Sequence, residues 1–310
     1  MFKIKLIKPI FWDQTGFNFF SFILTPLSIV TFLVNFLKKI VKKKKLSSKT
    51  ICVGNIYLGG TGKTQLVIEL NNILKKKYKI SVIKKFYENQ LDEQKLLKSK
   101  TNLILVKNRV NGINNIKNAN SVLIFDDGLQ DKSIAYDLSI VCFSSINGIG
   151  NGKLLPAGPL REQLSELNKY NVVFINGNKN KKLESKIRLI NKDIKIFYGK
   201  YFLKNKKNFS SKLNYLAVCG IGTPKNFFNL LSQNKINIKK KIIFPDHFQY
   251  KLSDVRNLTN IAKKNKLKIV TTEKDFMKLR KFKNFNIKYT RVVLKINNLN
   301  KLKKTLKNYL

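Results

Sequence analysis

A short apolar strand running into Asn55-Ile56-Tyr57-Leu58-Gly59-Gly60-Thr61-Gly62-Lys63-Thr64 constrains this chain more than any other stretch. Glycines let successive backbone N–H groups curl toward one phosphate, a lysine reaches the β- and γ-phosphates, and a threonine hydroxyl is placed for Mg²⁺. Leu66, Leu70, Ile73 and Leu74 follow at helical spacing, so a helix starts here and turns its positive end on the same anion. Strand, glycine-rich turn and helix together make a phosphate-binding loop over residues 57–64, with Tyr57 where the strict pattern has glycine. A nucleoside triphosphate is the expected ligand.

A second run of four apolar residues, 122–125, ends in Asp126-Asp127-Gly128. This is the form of a Walker B segment, whose carboxylate holds the Mg²⁺ shell or a bound water. In an open parallel sheet, ligands gather at the C-terminal ends of the strands, so the acidic pair is expected to face the phosphate loop. A third stretch, Gly150-Asn151-Gly152-Lys153-Leu154-Leu155-Pro156-Ala157-Gly158-Pro159-Leu160-Arg161-Glu162, packs two prolines and three glycines into a rigid loop, in a chain with only six prolines. Arg161 is suited to clamp phosphate and Glu162 to offer a carboxylate to metal.

Near-continuous apolar runs at 51–54, 80–83, 103–106, 122–125, 138–143 and 172–175 alternate with helical stretches, which predicts a parallel sheet covered on both faces. A lysine-rich stretch at 204–212 marks a domain boundary, and strands resume at 216–219, 242–244, 269–271 and 291–295. Upstream, residues 17–37 are mostly apolar and about as long as the ~20 residues a bilayer-crossing helix needs. Phe11 and Trp12 lead this run and Lys38, Lys39 and Lys42 to Lys45 follow it, as at a membrane interface. It is either a single span or a helix lying against anionic headgroups, and in both cases it is expected to be separable from nucleotide binding. The expected fold is α/β. An N-terminal membrane-associated helix with its basic flank occupies 1–45, a P-loop NTPase-like parallel sheet domain 46–203, and a second, smaller α/β domain 204–310.

Sixty-two basic residues against 17 acidic ones give a formal charge of +45, which points to phosphate-rich partners. Only six of them are arginine and the lysines are spread along the chain, so most of the charge is solvated surface and no nucleic acid is expected. Cys52, Cys142 and Cys219 lie inside apolar runs without metal-ligand spacing, which implies reduced thiols and a cytosolic active domain.

The three stretches, in this order with Cys219-Gly220-Ile221-Gly222-Thr223-Pro224, Phe244-Pro245-Asp246-His247-Phe248 and Thr271-Thr272-Glu273-Lys274-Asp275, closely resemble the tetraacyldisaccharide 4'-kinases, the lipid A kinases. The resemblance runs from the N-terminal apolar segment to about residue 279. It implies a kinase at the cytoplasmic face of the inner membrane. Such an enzyme moves the γ-phosphoryl of ATP to the 4'-hydroxyl of an acylated glucosamine disaccharide 1-phosphate, with Mg²⁺ held by Thr64, Asp126 and Glu162. It further implies that Asp92, next to Glu93, receives the hydroxyl proton and that His247, the only histidine, pairs with and orients it. By the boundary at 204–212 those two residues fall in different domains, and Asp127 is the alternative base. Where the family has Arg-Gly-Tyr after its second strand this chain has Lys85-Phe86-Tyr87, and where the family has a histidine after the acidic pair it has Asp131. Two rival readings need fewer of these features. Another P-loop ATPase or small-metabolite kinase has no use for residues 10–37, and a basic nucleic-acid binder would betray itself by salt-sensitive affinity.

Overall fold

The structure, a computed structural model, describes residues 8–113, 121–282 and 285–310. The N-terminal apolar run forms not one helix but two, α1 (Phe19–Ile23) and α2 (Ser28–Lys39), separated by a turn around Pro26, which has no N–H to carry a helix onward. Among the described residues no helix is long and apolar enough to cross a membrane. Of the two readings of 17–37, the single spanning helix is therefore not formed.

Eleven elements follow. They are β1 (Lys49–Gly54), α3 (Lys63–Leu74), β2 (Lys79–Lys85), α4 (Leu91–Lys100), β3 (Leu103–Val106), α5 (Arg109–Ile113), β4 (Ser121–Asp126), β5 (Leu138–Ser144), β6 (Val172–Asn176), α6 (Lys181–Ile190) and β7 (Lys195–Leu203). The chain continues with β8 (Asn214–Cys219), α7 (Pro224–Gln233), β9 (Asn237–Ile243), α8 (Leu252–Lys264), β10 (Lys268–Thr272), α9 (Glu273–Leu279), β11 (Ile287–Thr290), β12 (Val292–Ile296) and α10 (Leu299–Lys307). Strand order in the larger sheet is β12-β7-β6-β5-β1-β4-β2-β3, and in the smaller one β11-β10-β8-β9.

Central strands of the larger sheet are buried on both faces, which is why they read as unbroken apolar runs. Val122, Leu123, Ile124 and Phe125 of β4 are all essentially inaccessible, a burial that contributes about 1.5–3 kcal/mol for each large side chain. β1 runs parallel to β4 and β5, with Val53 opposite Asp126. That register sets the acidic pair beside the mouth of the phosphate loop. On α3, Leu66, Leu70 and Leu74 are buried as their spacing predicted. The smaller sheet is parallel throughout, so the ends of β8, β9 and β10 open on one edge.

Two compact units emerge, and their membership is not linear in sequence. One comprises residues 8–86 with Thr101–Lys200 and Ile296–Leu310; the other comprises Tyr87–Lys100 and Tyr201–Lys295. Helix α4, within the stretch assigned to 46–203, belongs with the second unit, where it packs on α9 and Lys100 pairs with Glu273 at 2.9 Å. Helix α10 returns to the first.

Candidate active site

In the first unit the phosphate loop leaves β1 and closes on α3, with Gly62 capping the helix at φ +89°, a left-handed conformation that a Cβ would strain. Asn55, fully buried, organises the turn: its side-chain N–H groups donate to the carbonyls of Tyr57 (2.6 Å) and Gly59 (3.1 Å). Tyr57 is buried and its hydroxyl donates to Asp13 at 2.7 Å, with Lys8 against the same oxygen. The residue that replaces the motif glycine thus ties the loop to the N-terminal segment. The glycine- and proline-containing loop is laced onto it as well, since Leu58 N–H donates to Pro159 O and Arg161 N–H to Ile56 O, each at 2.7 Å.

This lacing sets Arg161 at the loop mouth. Its guanidinium donates to Asn55 O (2.6 Å), to Asn55 Oδ1 and to Asp127 Oδ1 (2.7 Å), while Lys63 Nζ lies 3.7 Å from the same Asp127 oxygen. Burial pushes the Asp127 carboxyl up, but the charges of Lys63 and Arg161 outweigh it and hold it well below the usual carboxylate range. A carboxylate so held is an anchor for cations and a poor proton acceptor. Asp127 also adopts φ +57°, a left-handed position that aspartate tolerates better than most residues.

The two carboxylates of the acidic pair have separate partners. Asp126 is fully buried and accepts from Lys84 Nζ of β2 at 2.7 Å, while its Oδ1 has no hydrogen-bond partner. Arg109, buried, donates to Asp127 O at 2.8 Å and to Asp131 at 3.2 Å. Glu162, expected among the metal donors, accepts from the Tyr170 hydroxyl and pairs with Lys132 at 2.8 Å. Among the described residues no group of three or more His, Cys, Asp or Glu side chains is arranged to hold a metal ion. Sequence reasoning overlooked Asn55, Lys84 and Arg109. The signal for Lys84 was a lysine within a buried strand, and for Arg109 the rarity of arginine.

In the second unit Asp92 and His247 come together, both in the same unit and not across a boundary. Asp92 lies in the first turn of α4; its Oδ1 lies 2.9 Å from His247 Nδ1 and accepts from Glu93 N–H at 2.9 Å. Oδ2 faces Lys278 Nζ at 3.3 Å and Lys274 Nζ at 3.8 Å. All three family-like stretches of this unit contribute. Lys274 also pairs with Glu93 (3.0 Å) and Asp246 (3.3 Å), and Asp275 accepts from Gly220 N–H (2.9 Å) and Thr272 Oγ1 (2.8 Å) while pairing with Lys278 (2.9 Å). They converge because each sits at the C-terminal end of a strand in one parallel sheet, β8, β9 or β10. Asp92 is 0 % exposed and His247 21 %. An ionised carboxylate has no proton to give, so Nδ1 carries the hydrogen and Nε2 is left as an acceptor.

Burial pushes the Asp92 carboxyl up, yet the His247 hydrogen bond and the Lys274 and Lys278 charges bring it down to about 2. A carboxyl whose pKa falls on folding stabilises the protein above its unfolded value and loses that contribution as pH drops toward the folded one. Here about 2 kcal/mol should disappear between roughly pH 4 and pH 2. Urea unfolding of the wild-type chain and Asp92→Asn across that window should give a steeper loss for the wild type. Parallel curves would show that the pair adds nothing to stability.

Residues 20–310 match the family profile described as tetraacyldisaccharide-1-P 4'-kinase. The tetraacyldisaccharide 4'-kinase of Pelagibacter ubique is 44 % identical over 297 residues, covering 94 % of this chain and 95 % of its own. That of Rickettsia bellii is 36 % identical over 296 residues, covering 89 % and 90 %. A crystal structure of LpxK from Aquifex aeolicus in complex with ATP superposes with a TM-score of 0.70 at 23 % identity, over 93 % of this chain and 99 % of that one, and so shares the fold. With the profile and the relatives both spanning nearly its whole length, the chain belongs to the tetraacyldisaccharide-1-P 4'-kinase family.

Proposed function

We propose that the protein transfers the γ-phosphoryl group of ATP to the 4'-hydroxyl of a tetraacylated glucosamine disaccharide 1-phosphate, yielding the bisphosphorylated lipid and ADP. Family membership supports this reading, and the observation that carries it is the convergence of Lys63, Arg161 and Asp127 at the mouth of a phosphate loop. Phosphoryl transfer needs little covalent chemistry from a protein; positioning and charge neutralisation do most of it. Lys63, Arg161 and the loop N–H groups neutralise the phosphate oxygens, and Asp127 keeps the two cations aimed when no phosphate is bound.

Magnesium fits the donor set, because Asp126 has a buried oxygen without a partner at the end of β4, and Thr64 lies in the first turn of α3 as the loop motif requires. Those two residues would hold the ion, whose charge would offset that of the β- and γ-phosphates. Glu162 is engaged by Lys132 and Tyr170 and is left out of the set.

His247 is the better base. Asp92 is inaccessible and held near 2, whereas the imidazole is partly exposed and its tautomer is fixed by Asp92. As the base, Nε2 takes the proton of the 4'-hydroxyl, and Asp92 stabilises the imidazolium that forms.

The acylated substrate explains an inverted helix. A surface helix ordinarily turns its apolar stripe inward, but α2 turns Ser28, Thr31 and Asn35 inward and leaves Ile29, Val30, Leu33, Phe36 and Leu37 exposed, with Lys38 and Lys39 at its end. Such a face belongs in an anionic membrane surface, so the enzyme works at the inner membrane with its site toward the cytoplasm. The test is transfer of labelled phosphate from ATP to the acylated disaccharide 1-phosphate in detergent. Hydrolysis without transfer would indicate a generic P-loop ATPase. Flotation with anionic vesicles tests the docking; a chain that stays out of the lipid fraction would remove the membrane from this reading.

A further inference from the structure

The inward stripe of α2 does more than seat a helix. Ser28 Oγ donates to Leu154 O at 3.0 Å, and Asn35 Nδ2 donates to Arg161 O at 2.7 Å. One turn on, Lys39 pairs with Glu166 at 2.8 Å. The Arg161 peptide is therefore gripped from both sides. Its N–H is bonded to the carbonyl of Ile56, just before the phosphate loop, at 2.7 Å and its carbonyl to Asn35 of the N-terminal helix. The segment before α2 reaches the glycine- and proline-containing loop that leads to Arg161, with Trp12 Nε1 donating to Pro156 O at 2.9 Å, Asn151 N–H to Trp12 O at 2.8 Å and Ser21 Oγ to Ala157 O at 2.8 Å. The contact leaves no room for a side chain, since a Cβ at Gly150 would lie 2.4 Å from Trp12 O. This is a poor design for a detachable anchor and a good one for holding a phosphate clamp.

We propose that Asn35 is a positioning residue for Arg161, so that the N-terminal helix helps build the nucleotide-phosphate site and is not separable from it. The inference rests on the reading of Arg161 as a phosphate clamp. Losing one hydrogen bond that fixes the arginine backbone should weaken Mg²⁺–ATP binding by up to about tenfold. The experiment is a double-mutant cycle on the full chain in detergent without lipid substrate, reading the Kd for Mg²⁺–ATP. Asn35→Asp keeps the size and removes the donor; Asn35→Ser is the second variant should the aspartate misfold.

Arg161→Ala alone should weaken binding more than either Asn35 variant. In the Arg161→Ala background, Asn35→Asp should then change the Kd less than about twofold, since its only route to the nucleotide is gone. A purely structural asparagine would give additive effects, and additivity overturns the proposal. Unchanged affinity in the Asn35 variants with weakened affinity in Arg161→Ala overturns it too, leaving the clamp intact. Unchanged affinity in Arg161→Ala removes the clamp itself and the proposal with it. Flotation with anionic vesicles should be the same for Asn35→Asp and wild type, because Asn35 faces away from the exposed apolar residues; loss of flotation would mean that the helix had come off, against the proposal.

Discussion

Lys63→Ala is expected to lower phosphoryl transfer by about 10²–10³ while the protein stays folded. The lysine opens α3 directly after the left-handed Gly62, so its ammonium is delivered to the loop mouth by backbone geometry and needs no other support. In a partly desolvated site its charge is worth far more to the transferring phosphoryl than in water. The fold should survive because Asp127, its anionic partner, keeps Arg161 at 2.7 Å and the backbone bond from its own N–H to Val53 O at 2.8 Å. The measurements are labelled-phosphate transfer and a thermal melt on the same preparation. Near-full activity in a folded variant would mean that residues 57–64 do not bind the transferred phosphate.

Most of the larger sheet was legible because its central strands are buried on both faces: 122–125 is wholly apolar, and 138–143 is apolar except for Ser139. The smaller sheet was harder. β9 was expected only at 242–244, yet it starts at Asn237, because Lys239, Lys240 and Lys241 face solvent on an edge strand and interrupt the apolar run. β11, a four-residue strand that is half-buried, carried too short a pattern to be noticed. Residues 17–37 look like one apolar segment because composition does not record which side of a helix is turned outward; Pro26 was the visible clue to the break.

The site divided in the same way. Backbone-encoded features, the glycine turn and the acidic pair at a strand end, could be read because their spacing carries the chemistry. Asn55, Lys84 and Arg109 act through long-range contacts, over 106 residues in sequence between Asn55 and Arg161, and a lysine among so many has no local mark. The pairing of Asp92 with His247 came from resemblance alone. Its place within one unit could not be read from a linear division of the chain, since α4 is a short excursion of the first half of the sequence into the second unit.

Replacing either member of that pair should cost about 10²–10⁴ in kcat, the range for a positioned general base, with little change in nucleotide affinity. In Asp92→Ala the imidazole loses the acceptor that fixes its tautomer and would balance its positive charge; in His247→Ala the proton acceptor is gone. Because both losses remove the same function, the double variant should be scarcely slower than the worse single one. Full additivity of the two effects would separate the residues and dissolve the dyad. The pH profile then identifies which of them takes the proton. A carboxylate held near 2 cannot produce an acid limb above about pH 5, so a limb there in the wild-type kcat that is absent from His247→Gln would exclude Asp92 as the proton acceptor. A flat wild-type profile down to pH 5 would return the base to Asp92. The lysines bear on the same point. Lys274 and Lys278 face the Asp92 oxygen that His247 does not use, so Lys278→Met, which removes one charge from Asp92 but none of its hydrogen bonds, should weaken the acid-window stability while sparing most of kcat.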